Sequence, residues 1–205
     1  MDRPTHTRNV AIYGGSFNPI HIGHVSLAQS LLGQGLADEV WLMVSPQNPL
    51  KAHDAESPAY NPDEYTHRLR MARLACRDIE GINVSDFESR LPIPSYTHTT
   101  LTELIRQYPD CRFTLVIGAD NWQRFDRWYR SDDIIRLCHI YVYRRPGYDP
   151  VTIPENYAQR VRIVETPLYD VSSTEIRNHT KLDMIPPSVL QYIRRHRLYG
   201  FAVGR

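Results

Sequence analysis

One stretch constrains this chain more than any other: Val10-Ala11-Ile12-Tyr13-Gly14-Gly15-Ser16-Phe17-Asn18-Pro19-Ile20-His21-Ile22-Gly23-His24. Val10 to Tyr13 are apolar, rich in β-formers and cut off by Gly14-Gly15, so they read as a buried strand. From Val25 to Leu32 apolar residues return at helical spacing. The glycine turn therefore joins a strand to a helix N-terminus. The first N–H groups of a helix have no internal partner, and the macrodipole adds positive character there, so such a turn suits phosphate. Gly14, Gly15 and Gly23 let backbone approach a ligand without a Cβ in the way. The spacing matches neither the dinucleotide fingerprint nor the P-loop, since no Gly-Lys-Ser/Thr follows. His21 and His24 stand where the P-loop lysine would be. Three apart on the first helical turn, they are expected to project to one side and donate to phosphate oxygens.

At 205 residues the chain is expected to form one domain spanning 1–205, with length enough for a substantial core. A hydrophobic share of 41% and a charged share of 23% are ordinary for a globular protein. The formal net charge of +1 gives no global field toward nucleic acid or an anionic membrane. No basic patch with interleaved aromatics argues for nucleic acid either. Arg194-Arg195-His196-Arg197 reads as the solvated face of the last helix. Cys76, Cys111 and Cys138 lie far apart without C-x-x-C spacing, which fits thiols in a reducing cytoplasm. No His/Cys cluster suggests a protein-held metal site. Met1 to His6 lack a signal-like apolar region and no run reaches membrane-spanning length, so a cytoplasmic protein is expected.

Along the chain, strands and helices alternate. Strands are expected at Glu39–Val44, Gly81–Asp86, Arg112–Ile117, His139–Tyr143 and Arg162–Glu165. Helices are expected from Pro62, then over Thr97–Tyr108, Trp122–Trp128, Ser131–Leu137, Ser173–His179 and Pro187–Arg195. Leu69, Met71, Ala72, Leu74, Ala75 and Ile79 mark the inner face of the helix that opens at Pro62. Glu88 to Thr97 reads as a loop. The pattern implies an α/β protein, a single Rossmann-like doubly wound parallel sheet with helices on both faces. A C-terminal helical segment, about 171–200, is expected to pack on it. Ligands should lie at the C-terminal ends of the strands. Five stretches are expected to converge there: Gly14–His24, Pro46–His53, Ser95–Thr99, Gly118–Trp128 and Asp170–Arg177.

Asp170-Val171-Ser172-Ser173-Thr174-Glu175-Ile176-Arg177 is the second strong signal. It offers capping hydroxyls and helix N–H groups, with Arg177 one turn on; together these suit an anion. From that segment alone, a plain Ser/Thr cap with Glu175 in the first turn is the better reading, and it is the histidine-bearing first motif that favours an anion clamp. The two motifs together resemble the nucleotidyltransferase superfamily carrying the (H/T)-x-G-H and S-S-T-x-[IL]-R signatures. Ile117-Gly118-Ala119-Asp120-Asn121 with Trp128-Tyr129, Ser95-Tyr96-Thr97-His98-Thr99, Pro46-Gln47-Asn48-Pro49-Leu50-Lys51 and the closing Val189 to Tyr199 are similar to bacterial nicotinate-mononucleotide adenylyltransferases. The likeness covers nearly the whole chain.

The resemblance implies direct adenylyl transfer from ATP to nicotinate mononucleotide, with Mg²⁺ brought in by ATP. It implies nucleotide contacts from Gly14, Gly15, Ser16, Phe17, Gly23, Gly118 and Asp120, with Ser172, Ser173 and Thr174 on the leaving pyrophosphate. The catalytic groups it implies are His21, His24 and Arg177, the two histidines stabilising the developing charge and Arg177 holding the leaving pyrophosphate. On the acceptor side it implies Lys51, Tyr96, Thr97, Asp120, Trp128 and Tyr129. Trp128 would stack on the pyridine ring, Thr97 and Tyr129 would offer backbone N–H groups to its carboxylate, and Asp120 would hold a ribose hydroxyl. From the residues alone, Trp128 also fits a core anchor. Phosphopantetheine or nicotinamide mononucleotide as acceptor, and a non-catalytic nucleotide-binding module, are the rival readings. Two departures from the family stand out: Asn18 where many relatives have Asp, and Leu91-Pro92-Ile93-Pro94 before the S-Y-T segment.

Overall fold

In the computed structural model, which describes residues 7–47, 60–148 and 151–202, the first strand lies at the centre of the molecule. β1 (Arg8–Gly15) pairs in parallel with β2 (Glu39–Val44) on one side and β4 (Cys111–Gly118) on the other. β3 (Ile82–Ser85) extends the sheet beyond β2, and β5 (His139–Tyr143) and β6 (Val161–Val164) extend it beyond β4. The order β3-β2-β1-β4-β5-β6 is wholly parallel, which is the doubly wound Rossmann arrangement expected from the sequence.

A central parallel strand is covered on both faces, so it must be apolar on both. β1 satisfies this. Val10 and Ile12 enter one core with Leu115 and Ile117, while Ala11 and Tyr13 enter the other with Leu42 and Val116. The second of these cores is closed by α1 (Ile22–Gly33), through Val25, Leu27, Ala28 and Leu31, and by α2 (Pro62–Cys76). The first is closed by α3 (Thr97–Gln107), through Leu101 and Leu104, by α4 (Ala119–Trp122) and by α5 (Ser131–Leu137). Fully burying each such side chain contributes about 1.5–3 kcal/mol. α6 (Ser173–Arg177) and α7 (Pro187–Arg195) then return to the α1–α2 face, burying Ile176, Val189 and Ile193.

Some local expectations change. The expected helix over Trp122–Trp128 is two short pieces, α4 and a 3₁₀ turn at Phe125–Arg127, because Trp122 and Phe125 stack into the core together. The expected loop from Glu88 contains a 3₁₀ turn at Phe87–Arg90 that buries both Phe87 and Glu88. Leu69, Met71 and Ala72 form the inner face of α2 as expected, Leu74, Ala75 and, past its end, Ile79 pack half-buried against the same core, and Tyr65, Arg68 and Cys76 are buried with them. α1 begins at Ile22 with His21 as its cap, so the two histidines flank its first turn as expected.

Arg68 explains how the crevice is held open. Its Nη1 donates to Ser16 O at 2.7 Å and Ser45 O at 2.8 Å, and its Nη2 donates to Pro46 O at 3.0 Å. One buried guanidinium thus ties the turn after β1 to the turn after β2, with Glu64 at 3.7 Å as its counter-charge. The planar fork suits carbonyls on two separate strands, and an ammonium group does not reproduce it. Arg68→Ala should destabilise the protein by about 3–5 kcal/mol in urea unfolding, since it takes the donor from three carbonyls, that of Pro46 fully buried, and empties the space its side chain fills. Arg68→Lys should recover only part of that loss. A change within about 0.5 kcal/mol for the alanine variant would contradict this role.

Candidate active site

The strand order reverses between β1 and β4, and the crevice opens at their C-terminal ends. It has two lobes. The histidine lobe, of about 210 Å³, is lined by His21, Gly23 and His24 of the α1 start, by the turn after β5, and by Pro167–Ser172 with Glu175. The aromatic lobe, of about 400 Å³, is lined by Gly14, Gly15, Ser45, Ser95–Thr97, Gly118, Asn121 and Arg127–Tyr129. Tyr13 and Tyr143 line both, so the lobes meet across this pair of rings, whose centroids are 6.0 Å apart.

His21 and His24 face each other as stacked rings, with centroids 3.6 Å apart. Gly23 permits this, because a Cβ there would lie 3.1 Å from His21 Nδ1. His24 Nδ1 accepts the His21 backbone N–H at 3.2 Å, so its proton sits on Nε2 and that atom is a donor. Burial, then nearby Arg145, lowers the His21 pKa to about 4. Burial, then His21 and Arg145, lowers that of His24 well below the ordinary histidine value. At neutral pH both rings are uncharged. They can donate to phosphate oxygens, while the positive charge of this lobe comes from arginine.

Arg145 is a residue of this lobe that sequence reasoning missed. Its Nη1 lies 3.1 Å from Asp120 Oδ2, and the pair closes over Gly118. A Cβ at Gly118 would fall 2.4 Å from Asp120 Oδ1 and 2.8 Å from Arg145 Cδ, so only glycine fits. Arg145 lines the histidine lobe beside the border with the aromatic one. The signal was available. Arg144-Arg145-Pro146-Gly147 directly follows the strand His139–Tyr143 and so had to lie at the ligand end of the sheet.

The two motifs meet through the Asn18–Pro19 turn. Ser173 Oγ donates to Pro19 O at 2.9 Å, and Arg177 Nη1 donates to Asn18 O at 2.7 Å. Arg177 Nη2 donates to Thr174 Oγ1. Ser172 forms a capping box with Glu175, which occupies its hydroxyl. The capping reading of Ser172 therefore holds, and the segment also fixes the first motif in place. The Asn18 side chain uses both ends of its amide, since Nδ2 donates to Glu64 Oε1 at 2.9 Å and Oδ1 accepts from Tyr199 Oη at 2.5 Å. An aspartate here would set two carboxylates against each other. Phe17 is buried under the turn, edge-on to Tyr13 and His24. Ser16 contributes its carbonyl to Arg68.

In the aromatic lobe, Trp128 leans on Phe125, at 5.4 Å, as a core anchor would, and also lines the cavity. Tyr96 and Tyr129 pair at the rim, with centroids 5.0 Å apart. Thr97 is the first residue of α3, where its N–H has no helical partner. Leu91–Pro94 runs over the surface and delivers Ser95, whose N–H donates to Gln47 O. The Ser95 hydroxyl and the Trp128 indole N–H are buried without partners among the described residues. Asp120 Oδ1 is likewise unpartnered, while its other oxygen belongs to Arg145. Lys51 lies outside the described residues.

Comparison with known proteins bears on the family and the fold. Residues 12–179 match the cytidylyltransferase-like family model. The chain is 46% identical over 190 residues, 90% of each chain, to a curated Bacteroides thetaiotaomicron protein named "probable nicotinate-nucleotide adenylyltransferase". It is 34% identical to a Flavobacterium psychrophilum protein of the same name, covering 93% of this chain and 98% of that one. The fold superposes on Plasmodium falciparum nicotinic acid mononucleotide adenylyltransferase, solved with NaAD, at a TM-score of 0.75 and 21% identity, over 96% of this chain and all of that one. The chain with its histidine-lined crevice thus belongs to the nicotinate-nucleotide adenylyltransferase family, within the cytidylyltransferase-like proteins.

Proposed function

We propose that the protein transfers the adenylyl group of ATP to nicotinate mononucleotide, giving deamido-NAD and pyrophosphate. The observation that carries this reading is the two-lobed crevice joined at Tyr13 and Tyr143. One lobe offers neutral histidine donors and arginine for a triphosphate; the other offers an aromatic wall and a free helix N–H for a flat, acidic ring.

The acceptor's 5′-phosphate oxygen attacks the α-phosphorus in line. A new P–O bond forms as the bond to the β-phosphate breaks, and pyrophosphate carries the electron pair away. The attacking phosphate is already an anion at neutral pH, so no side chain need act as base. Catalysis is positioning plus charge stabilisation. His21 and His24 would donate to the α-phosphate, and Arg145 would offset the charge near it. Arg177, one arm on Asn18 O, would meet the leaving group. We propose further that Mg²⁺ arrives with ATP, neutralising charge on its phosphates. Among the described residues no three His, Cys, Asp or Glu side chains gather as ligands. No described helix is long and apolar enough to cross a membrane, and the three cysteines are free thiols, which supports a cytoplasmic setting.

Pyrophosphate release with ATP and Mg²⁺ tests the reaction, run in parallel with nicotinate mononucleotide, nicotinamide mononucleotide and phosphopantetheine. Release should be fastest with the first; silence with all three, or preference for phosphopantetheine, would overturn the assignment. His24→Ala should lower kcat about 10²–10³-fold, the usual loss on removing one donor to a developing oxyanion, with an unchanged circular-dichroism spectrum. Near-normal turnover would remove His24 from the mechanism.

A further inference from the structure

The wall of the aromatic lobe contains one carboxyl group that the mechanism above does not use. Glu88 lies in the 3₁₀ turn after β3, is 7% exposed, and lines the lobe together with Ser45, Ser95 and Thr97. Its Oε1 accepts from Thr100 Oγ1 at 2.9 Å, and Thr100 in turn lies within 3.3 Å of Tyr96 O. Glu88 therefore sits under the first turn of α3, the turn that begins with the Thr97 N–H. Ser95 Oγ, buried and unpartnered among the described residues, lies in the same wall. A ring substituent directed at the start of α3 meets this carboxyl.

We infer that Glu88 is a specificity-determining residue, admitting a carboxylate on the pyridine ring when neutral and favouring a carboxamide when ionised. The inference rests on the acceptor assignment above and deepens it. Like charges in a poorly solvated pocket repel strongly, whereas an ionised Glu88 can accept a hydrogen bond from an amide NH₂. Burial raises the Glu88 pKa to about 7, against the hydroxyls of Thr100 and Ser45, which pull it down. Its state therefore changes across the physiological range. Raising the pH ionises Glu88 and penalises the acid acceptor.

Other titratable groups around the lobe do not mimic this. Tyr13 and Tyr143 are held above the ordinary phenol value, chiefly by burial, and so stay neutral. Tyr65 on α2 is raised in the same way. His98 on α3, which meets the Tyr129 ring, is held below the ordinary histidine value, first by burial and then by Arg130. Asp86 beside Glu88 is paired with Arg73 and Arg90, and Arg68 is bound to carbonyls and Glu64. Arg127, Tyr96 and Tyr129 face the lobe from its rim. The acceptor phosphate also titrates near pH 6, but it is common to both acceptors and cancels in a ratio.

The test is the ratio of kcat/KM for nicotinate mononucleotide over nicotinamide mononucleotide, from about pH 6 to about pH 8.5, in the wild type and in Glu88→Gln. The wild-type ratio should fall by about tenfold or more as pH rises, through a midpoint near neutrality, and the variant ratio should be level. A flat wild-type ratio overturns the inference without recourse to any variant. A slope that persists in Glu88→Gln overturns it as well, because a merely structural glutamate would lower stability and leave the slope in place. Absence of turnover with both acceptors overturns the acceptor assignment instead, and the inference with it.

Discussion

Arg68 brings its guanidinium into the interior, where carbonyls from two different turns receive it. An isolated buried cation is costly, and this one persists because three oxygens and Glu64 satisfy it. Those oxygens belong to the turns that leave β1 and β2 at the ligand end of the sheet. The spacing of the crevice walls follows from that geometry. The signature turn is then gripped from other sides as well: Glu64 and Tyr199 hold the Asn18 amide, Arg177 holds its carbonyl, and Ser173 holds Pro19. Residues from the start, the middle and the last segment of the chain thus converge on one turn.

This support explains the electrostatics of the site. Rigid stacking keeps His21 and His24 buried and uncharged, so they act as oriented dipoles rather than cations. The cation beside them is Arg145, itself anchored by Asp120 over Gly118. Fixed dipoles and one tethered charge need little rearrangement as charge develops on a phosphorus centre. A bound triphosphate acts on the imidazoles in the opposite sense to Arg145, so binding and histidine protonation are coupled.

The architecture was readable because β1, β2, β4 and β5 are short apolar runs bounded by turn residues, and their alternation with helices permits few topologies. The bounds of β2, α5, β5 and α7 were read directly. The residues of the histidine lobe were legible where glycines and histidines break the apolar pattern. Arg68 was not, because a mid-helix arginine with no special spacing reads as solvated surface; only the tertiary placement of α2 buries it. Glu88 was hidden for the same reason, in a segment without periodicity. Arg145 was missed although position alone should have singled it out. Serines 172 and 173 read as ligand groups, yet their hydroxyls serve the cap and the neighbouring turn.

The account turns on one crevice receiving two nucleotides that meet at Tyr13 and Tyr143. The most direct measurement is the crystal structure of the protein with the dinucleotide product. The adenylate half should occupy the lobe of His21, His24 and Arg145, the pyridine half should lie on Trp128 with its carboxylate toward Thr97, and the bridging phosphates should cross at Tyr13. A dinucleotide lying wholly within one lobe, or with its pyridine away from Trp128, would contradict it.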